Sequence, residues 1–206
     1  MHLTHDGFFK SLMEEPGAAG ALLRERLPPE VVAQLAPGEP ELVDGTFVDK
    51  ELRETRSDRL YRVKLLTGET AFIYCLVEHK SSSDPRIGLQ LLGYLTRVWE
   101  RLDKEADEAR GGGPPRSPNR SLPPVIALVV YHGAEPWAAP LRFSGVFDCN
   151  DEVRRNVLDF PIHLVDVGRV DESTLSGNPQ LSVGLLLLKY ATRTDKGDVV
   201  ETVTAL

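Results

Sequence analysis

The stretch DRLYRVKLLTGETAFIYCLVEHK, residues 58–80, decides the fold of the rest of the chain. Its first run alternates, with Leu60 and Arg62 on one side and apolar residues between them, as is typical of a β-strand. Its second run, AFIYCLV, is apolar throughout, which indicates a strand covered on both faces. Turn residues around Gly68 separate the two runs. The stretch therefore predicts a β-hairpin whose second strand lies inside a sheet.

The periodicity changes after this hairpin. From Pro85, apolar residues recur every three or four positions to about residue 108, which predicts an amphipathic helix with proline in its first turn. The runs VIALVVYHG (125–133) and FPIHLVDVG (160–168) predict two further strands, and LSVGLLLLKYATR (181–193) predicts a later helix. Strands alternating with helices indicate an α/β fold.

The N-terminal region predicts helices and then irregular chain. DGFFKSLMEE (6–15) reads as a helix with Asp6 as N-cap, and a second helical segment breaks at Pro28-Pro29. Residues 36–56 are polar and rich in turn residues, so we expect them to wrap the surface. Residues 110–124, RGGGPPRSPNRSLPP, have the composition of a flexible loop. We interpret residues 1–206 as one domain carrying this loop.

Composition restricts the class of protein. The 206 residues are 41% hydrophobic, which is enough for a core, and the two cysteines, Cys75 and Cys149, are too few for a disulfide framework or a zinc site. No signal peptide or membrane-spanning run is evident, so we expect a cytoplasmic protein without a membrane partner. The net charge is −7, yet residues 56–101 hold eight basic and five acidic residues. Such a region could face a polyanion, although an ordinary solvated mixture of charges would look the same.

The chemistry-bearing residues cluster at the ends of the predicted hairpin. The sequence has no phosphate-binding P-loop, dinucleotide fingerprint, zincin motif or serine nucleophile elbow. Asp58 opens the first strand and Glu78 and Lys80 close the second, so antiparallel pairing brings all three to one end. Two carboxylates suit a hard cation, with Mg²⁺ first and Mn²⁺ or Ca²⁺ as alternatives. Because strand residues alternate, His79 points away and would offer only its backbone carbonyl.

This constellation suits phosphodiester hydrolysis, in which a metal polarises the phosphate and Lys80 positions water or neutralises charge. Of the seven lysines, only Lys80 has an acidic residue two positions earlier. A Glu-x-Lys pair is also common as a neutralised surface pair. Gln90 and Tyr94 lie four residues apart, hence on one helical face, and could anchor a phosphate or hold Lys80. Tyr94 also belongs to the apolar stripe, so a core role is the alternative.

Four blocks together resemble a known family. HDGFFK, SDRLYRV, YCLVEHKSSSDPRIGLQLLGYLTRVWE and LPPVIALVVYHGAEPW occur in this order over roughly residues 2–137. They resemble the Rpn family of recombination-promoting nucleases, the YhgA-like transposases, a branch of the PD-(D/E)XK nuclease superfamily. Ser57 replaces the proline that usually precedes the motif Asp, and family members tend to be longer.

The resemblance implies a restriction-endonuclease-like core, a mixed central sheet flanked by helices. It also implies metal-dependent cleavage of DNA, with Asp58 as the motif Asp, Glu78 and Lys80 as the E-x-K element, and Gln90 and Tyr94 as a Q-x-x-x-Y element. The alternative is a catalytically weak or inactive DNA-binding or protein-interaction module that keeps the fold, and a scaffold without a nucleic-acid role is the third interpretation. A homodimer would suit a double-strand break.

Overall fold

A computed structural model describes residues 5–43, 58–78, 82–108 and 121–191 of the chain. The helices are α1 (His5–Glu14), α2 (Ala18–Arg26), α3 (Pro29–Val32), α4 (Ile87–Glu108), α5 (Asp151–Arg154) and α6 (Pro179–Ala191). The strands are β1 (Glu41–Val43), β2 (Arg59–Lys64), β3 (Thr70–Glu78), β4 (Val125–Tyr131) and β5 (His163–Asp166). Two short 3-10 helices, Phe143–Val146 and Glu172–Thr174, lie in the second half.

The five strands form one mixed sheet in the order β1-β2-β3-β4-β5. The first three strands are antiparallel, while β3, β4 and β5 run parallel to one another. The predicted hairpin is confirmed, with Arg59 opposite Cys75 and Lys64 opposite Thr70. Gly68 takes a positive φ of 87° in its turn, a conformation that costs glycine little and other residues more. The mixed sheet with flanking helices confirms the α/β prediction and agrees with a restriction-endonuclease-like core.

Strand β3 is the centre of the core, because its residues from Ala71 to Glu78 are all buried. Ile73, Cys75 and Val77 face a hydrophobic cluster that includes residues of α1, α2 and α6. Phe72, Tyr74 and Leu76 face a second cluster that includes residues of α4. The two faces of β3 are therefore covered by different helices, as a continuous apolar run predicts.

Helix α4 packs on its own apolar stripe, in which Leu91, Leu95 and Val98 are buried. It begins at Ile87, so Pro85 lies in the turn before it instead of in its first turn. In that turn the backbone N–H groups of Arg86 and Ile87 donate to Asp84. Within the described residues, no helix combines the length and the apolar character needed to cross a membrane.

The N-terminal region of the structure differs from the prediction at two places. Asp6 is wrong as an N-cap, because α1 already includes it. The segment after residue 35 is not wholly irregular, since Glu41–Val43 pairs with β2 as an edge strand too short to show a periodic pattern. The loop predicted at 110–124 falls largely outside the described residues, and the single-domain assignment stays a prediction.

Candidate active site

The site predicted from sequence lies at the end of the sheet where the carboxyl termini of the parallel strands β3, β4 and β5 lie side by side. This end of the sheet is called the site edge below. Because β2 runs antiparallel to β3, the start of β2 also lies at the site edge. The register places Glu78 beside Tyr131 and Tyr131 beside Asp166. Crevices outside the carboxyl ends of parallel strands are the usual ligand sites of α/β folds.

Asp58 is the residue immediately before β2 and is held by a hydrogen bond. The hydroxyl of Tyr74 donates to its Oδ2 at 2.7 Å. Extending the strand register by one residue beyond the Arg59–Cys75 pair sets Asp58 opposite Leu76. Strand alternation then gives Asp58 the face of the sheet on which Tyr74 and Leu76 pack beneath α4.

Glu78 is the last residue of β3 and is only 5% exposed. It alternates with Tyr74 and Leu76, so it shares their face and that of Asp58. Diagonal neighbours across an antiparallel pair lie roughly 7–8 Å apart, which is within reach of one ion between two carboxylates. Burial of a carboxylate costs free energy that a cation or hydrogen-bond donors must offset. The fold thus brings together the two carboxylates that the sequence predicts as a pair.

His79 and Lys80 lie outside the described residues, which stop at Glu78 and resume at residue 82. The backbone at Glu78 is fixed by the neighbouring strand β4, because the carbonyl of Glu78 accepts a 3.2 Å hydrogen bond from the N–H of His132, the residue after β4.

Tyr94 connects α4 to Asp58 through one intermediate ring. Its ring stacks on that of Tyr74 with centroids 5.0 Å apart and an interplanar angle of 25°. The burial of Tyr94 agrees with the core interpretation, whereas a role for Tyr94 toward a phosphate or Lys80 stays a prediction. Tyr94 is a core residue, 3% exposed, and it packs on the residue that holds the candidate metal ligand.

Gln90 lies one helical turn before Tyr94, nearer the start of α4. Its Nε2 atom is buried and has no hydrogen-bond partner in the described part of the chain. An unused buried donor costs about 1–3 kcal/mol, so such a group calls for an explanation. The Nε2 of Gln90 is such a donor, and it lies on α4 one turn from Tyr94.

Sequence reasoning missed Tyr74, which fixes Asp58. The signal was present, because Tyr74 lies four residues before Glu78 in the same strand and alternation puts both on one face.

Sequence reasoning also missed Tyr131 and Asp166, which end β4 and β5 at the site edge. Burial raises the pKa of the Tyr131 hydroxyl, and the nearby charges of Asp166, Glu135 and Glu78 raise it further. This hydroxyl donates to the Glu135 carbonyl at 2.8 Å and stays protonated as a donor.

The face of the sheet opposite the carboxylates carries a pair of histidines. His5 of α1 stacks on His132, with ring centroids 5.3 Å apart and an interplanar angle of 11°. In the described ranges, no group of three or more His, Cys, Asp or Glu side chains is placed to hold a metal ion. Asp58 and Glu78 remain the carboxylate pair that could share one.

Comparison with known proteins adds an independent line of evidence. Residues 3–206 match the family model described as "Putative transposase, YhgA-like". The chain is 27% identical to the recombination-promoting nuclease RpnA of Escherichia coli (strain K12), across 98% of this chain and 65% of RpnA. It is 28% identical to the inactive recombination-promoting nuclease-like protein RpnE of the same strain, across 98% of this chain and 63% of RpnE.

A third relative is the recombination-promoting nuclease RpnD of Escherichia coli O157:H7, which is 26% identical across 98% of this chain and 73% of RpnD. The chain spans roughly two thirds of the length of these relatives. No solved structure matches it. The family model covers nearly every residue, including Asp58, Glu78, Gln90 and Tyr94, and the chain therefore belongs to the YhgA-like transposase family, whose relatives include recombination-promoting nucleases.

Proposed function

We propose that this chain is a metal-dependent DNA endonuclease of the PD-(D/E)XK type. The observation that carries the proposal is the position of Asp58 and Glu78 on one face, at the open end of the central strand, with Tyr74 holding Asp58. The names of its relatives support a nuclease, and one of those relatives is named as inactive.

The donor set fits a hard divalent cation, with Mg²⁺ as the first choice and Mn²⁺ or Ca²⁺ as alternatives. Asp58 and Glu78 supply two carboxylates, and Mg²⁺ usually takes one or two together with water and phosphate oxygens. The backbone carbonyl of His79 would add a third protein oxygen. Bound there, the ion would polarise the phosphate and lower the pKa of a water molecule.

The remaining residues have roles that follow from their chemistry. The ammonium group of Lys80 would neutralise charge that develops on the phosphate and hold the attacking water by a hydrogen bond. The amide N–H of Gln90 would donate to a phosphate oxygen. Tyr94 would act indirectly, because its ring supports Tyr74 and the hydroxyl of Tyr74 supports Asp58.

The second candidate is a module that keeps the fold and binds DNA or a protein without cutting. One observation favours it: RpnE, a relative as similar to this chain as the others, is named inactive. This candidate predicts binding without cleavage. Removing a negative charge near the phosphate would then leave affinity unchanged or raise it.

A cleavage assay separates the two candidates. Supercoiled plasmid is incubated with purified protein and Mg²⁺, Mn²⁺ or Ca²⁺, and nicked and linear products are measured. Asp58→Asn is the sharper variant, because its amide oxygen can still accept from Tyr74 while the negative charge is lost. We expect Asp58→Asn, Glu78→Gln and Lys80→Ala each to lower the cleavage rate at least about a hundredfold, since the metal supplies several kcal/mol of transition-state stabilisation.

The matched control is Glu69→Gln, which removes an exposed acid from the turn at the opposite end of the same hairpin and should cleave as the wild type does. Cleavage that persists equally in all four variants would contradict the assignment of the site. A wild type that binds DNA but cuts nothing with any of the three metals would support the second candidate.

A further inference from the structure

We propose that one side of α4, defined by Arg86, Gln90 and Arg97 and called here the α4 stripe, binds the backbone of a DNA strand beside the active site. The inference rests on the proposed function and extends it by assigning a substrate-binding surface. Arg86 and Arg97 are exposed and Gln90 is half-buried.

The three residues share one side of the helix. Positions 86, 90, 94 and 97 follow one another at intervals of four, four and three, which places them in a row. Arg86 precedes the first helical residue, yet its carbonyl already accepts from the N–H of Gln90 at 3.3 Å as in a helical turn. The row therefore begins at the turn before α4 and runs along the helix.

The row is joined to the active site at Tyr94. The guanidinium carbon of Arg97 lies 6.0 Å from the centre of the Tyr94 ring, a distance at which a cation and an aromatic ring attract. Tyr94 stacks on Tyr74, whose hydroxyl donates to Asp58. Arg97 is thus held in a chain of contacts that ends at the candidate metal ligand.

Charge along the helix is polarised in the direction that DNA binding requires. Residues 86–99 contain two arginines and no acidic residue, whereas residues 100–108 contain five acids and two basic residues. The helix leaves the site edge, so its basic part lies nearer the site. A phosphate backbone would be attracted to the first part and repelled by the second.

The two arginines of the stripe differ from two arginines of β2 and from the next arginine of α4. Arg59 pairs with Glu14, Arg62 with Glu41 and Arg101 with Glu105 at 2.9–3.0 Å. Neither Arg86 nor Arg97 forms an ion pair with any described carboxylate. Their charges are therefore available to a ligand, whereas the other three are already compensated.

The length of the row matches a short DNA segment. Arg86 and Arg97 are eleven positions apart, which corresponds to about 16 Å along a helix axis. A DNA strand advances about 3.4 Å per nucleotide, so the α4 stripe would contact phosphates over about five nucleotides.

The test measures binding and cleavage in the same variants. The double variant Arg86→Gln/Arg97→Gln is compared with Arg86→Lys/Arg97→Lys and with Lys104→Gln, which removes a cation from the far part of the same helix. Binding of a duplex oligonucleotide is titrated in EDTA at several salt concentrations, and cleavage gives kcat and KM. We expect the glutamine variant to raise KM about tenfold at unchanged kcat, and to lower the slope of log affinity against log salt by about one per arginine.

The lysine variant should recover most of the affinity, and Lys104→Gln should resemble the wild type. If the glutamine variant keeps the wild-type KM and the wild-type salt slope, the inference is wrong. This holds also if kcat and Tm fall in that variant, because the arginines would then only support Tyr94. If the wild type binds but does not cleave, and the slope still falls in the glutamine variant, the nuclease proposal fails and the stripe stands. A wild type that does not bind DNA in EDTA would overturn the stripe.

Discussion

Tyr74 donates a 2.7 Å hydrogen bond from its hydroxyl to the carboxylate of Asp58, across the antiparallel hairpin. The donor lies in the buried central strand, while the acceptor lies just outside the strand at the site edge. Tyr74 therefore controls the direction of the Asp58 side chain, and the ring of Tyr74 is itself fixed by stacking on the ring of Tyr94. A candidate metal ligand is preorganised by a residue of the core.

Replacing Tyr74 with phenylalanine tests this control of Asp58. The variant keeps the stacked ring but loses a hydrogen bond to a charged group, a bond that contributes about 1.5–3 kcal/mol. We expect the cleavage rate to fall about tenfold or more, with a loss of about 1–3 kcal/mol in the free energy of unfolding. Single-turnover cleavage and urea denaturation measure the two effects.

Tyr61→Phe is the matched control for that variant. Tyr61 is buried on the neighbouring strand but faces the opposite cluster, and its hydroxyl has no hydrogen-bond partner among the described residues. Removing this hydroxyl should leave cleavage unchanged and stability equal or slightly higher. Equal cleavage by Tyr74→Phe and Tyr61→Phe would show that Asp58 needs no help from Tyr74.

Gln90→Met separates a binding role from a structural one. Methionine has nearly the shape of glutamine, but it lacks the buried Nε2 donor, which has no partner in the described ranges. We expect the free energy of unfolding to stay the same or to rise by up to about 1 kcal/mol, because an unsatisfied donor is removed. Cleavage should nevertheless slow about tenfold, since the substrate loses that donor. A variant that is less stable yet fully active would argue for a structural role instead.

The stability of the protein should fall in alkaline solution because of Cys75. Burial, and then the nearby charge of Asp58, raises the pKa of this thiol from 9.0 to about 12 in the folded state. Between pH 9 and 12 the unfolded chain releases the proton while the folded chain retains it. The free energy of unfolding should therefore decrease by up to about 1.4 kcal/mol per pH unit in this window.

Urea denaturation of the wild type and of Cys75→Ala between pH 7 and 10.5 measures this effect. The alanine variant should be less stable at neutral pH, because it leaves a cavity in the core. The two stabilities should run parallel below pH about 8 and converge above pH 9. Parallel curves over the whole range would mean that the Cys75 thiol ionises equally in both states.

Two helical glycines are predicted to respond in opposite ways to alanine. A Cβ at Gly184 of α6 would clash with the side chain of Leu12 on α1, whereas a Cβ at Gly93 of α4 would meet nothing within 4 Å. We expect Gly184→Ala to cost about 1–3 kcal/mol through overpacking. Gly93→Ala should stabilise by about 0.5–1 kcal/mol, because alanine is the better helix former.

Urea denaturation of both glycine variants tests this pair, with Gly93→Ala as the internal control for helix propensity. An unchanged stability of Gly184→Ala, after the gain seen at Gly93 is subtracted, would mean that Leu12 can repack freely.

Much of the fold was predictable because the apolar runs are long and regular. The hairpin around Gly68, the buried strand β3 and helix α4 all follow from periodicity, as does the proximity of Asp58 to Glu78. Strand β1 was not predictable, because three residues are too few to show a period. An edge strand is also partly exposed, so its residues need not be apolar. The first residue of α1 was not predictable either. Aspartate is favoured both as an N-cap and in the first turn of a helix, so the residue type of Asp6 does not fix where the helix begins.

The sequence by itself determined the α/β class, the hairpin and the residue types that meet at its open end, because strand and helix periods are local properties of the chain. Only the tertiary structure decided that Tyr74 holds Asp58, that Tyr94 stacks on Tyr74 and that Arg97 lies over Tyr94. These contacts depend on how α4 packs across the face of the sheet, and that packing is set by the shapes of side chains distant in sequence. Local periods specify which face of α4 is apolar, and the packed core then decides which aromatic ring touches which.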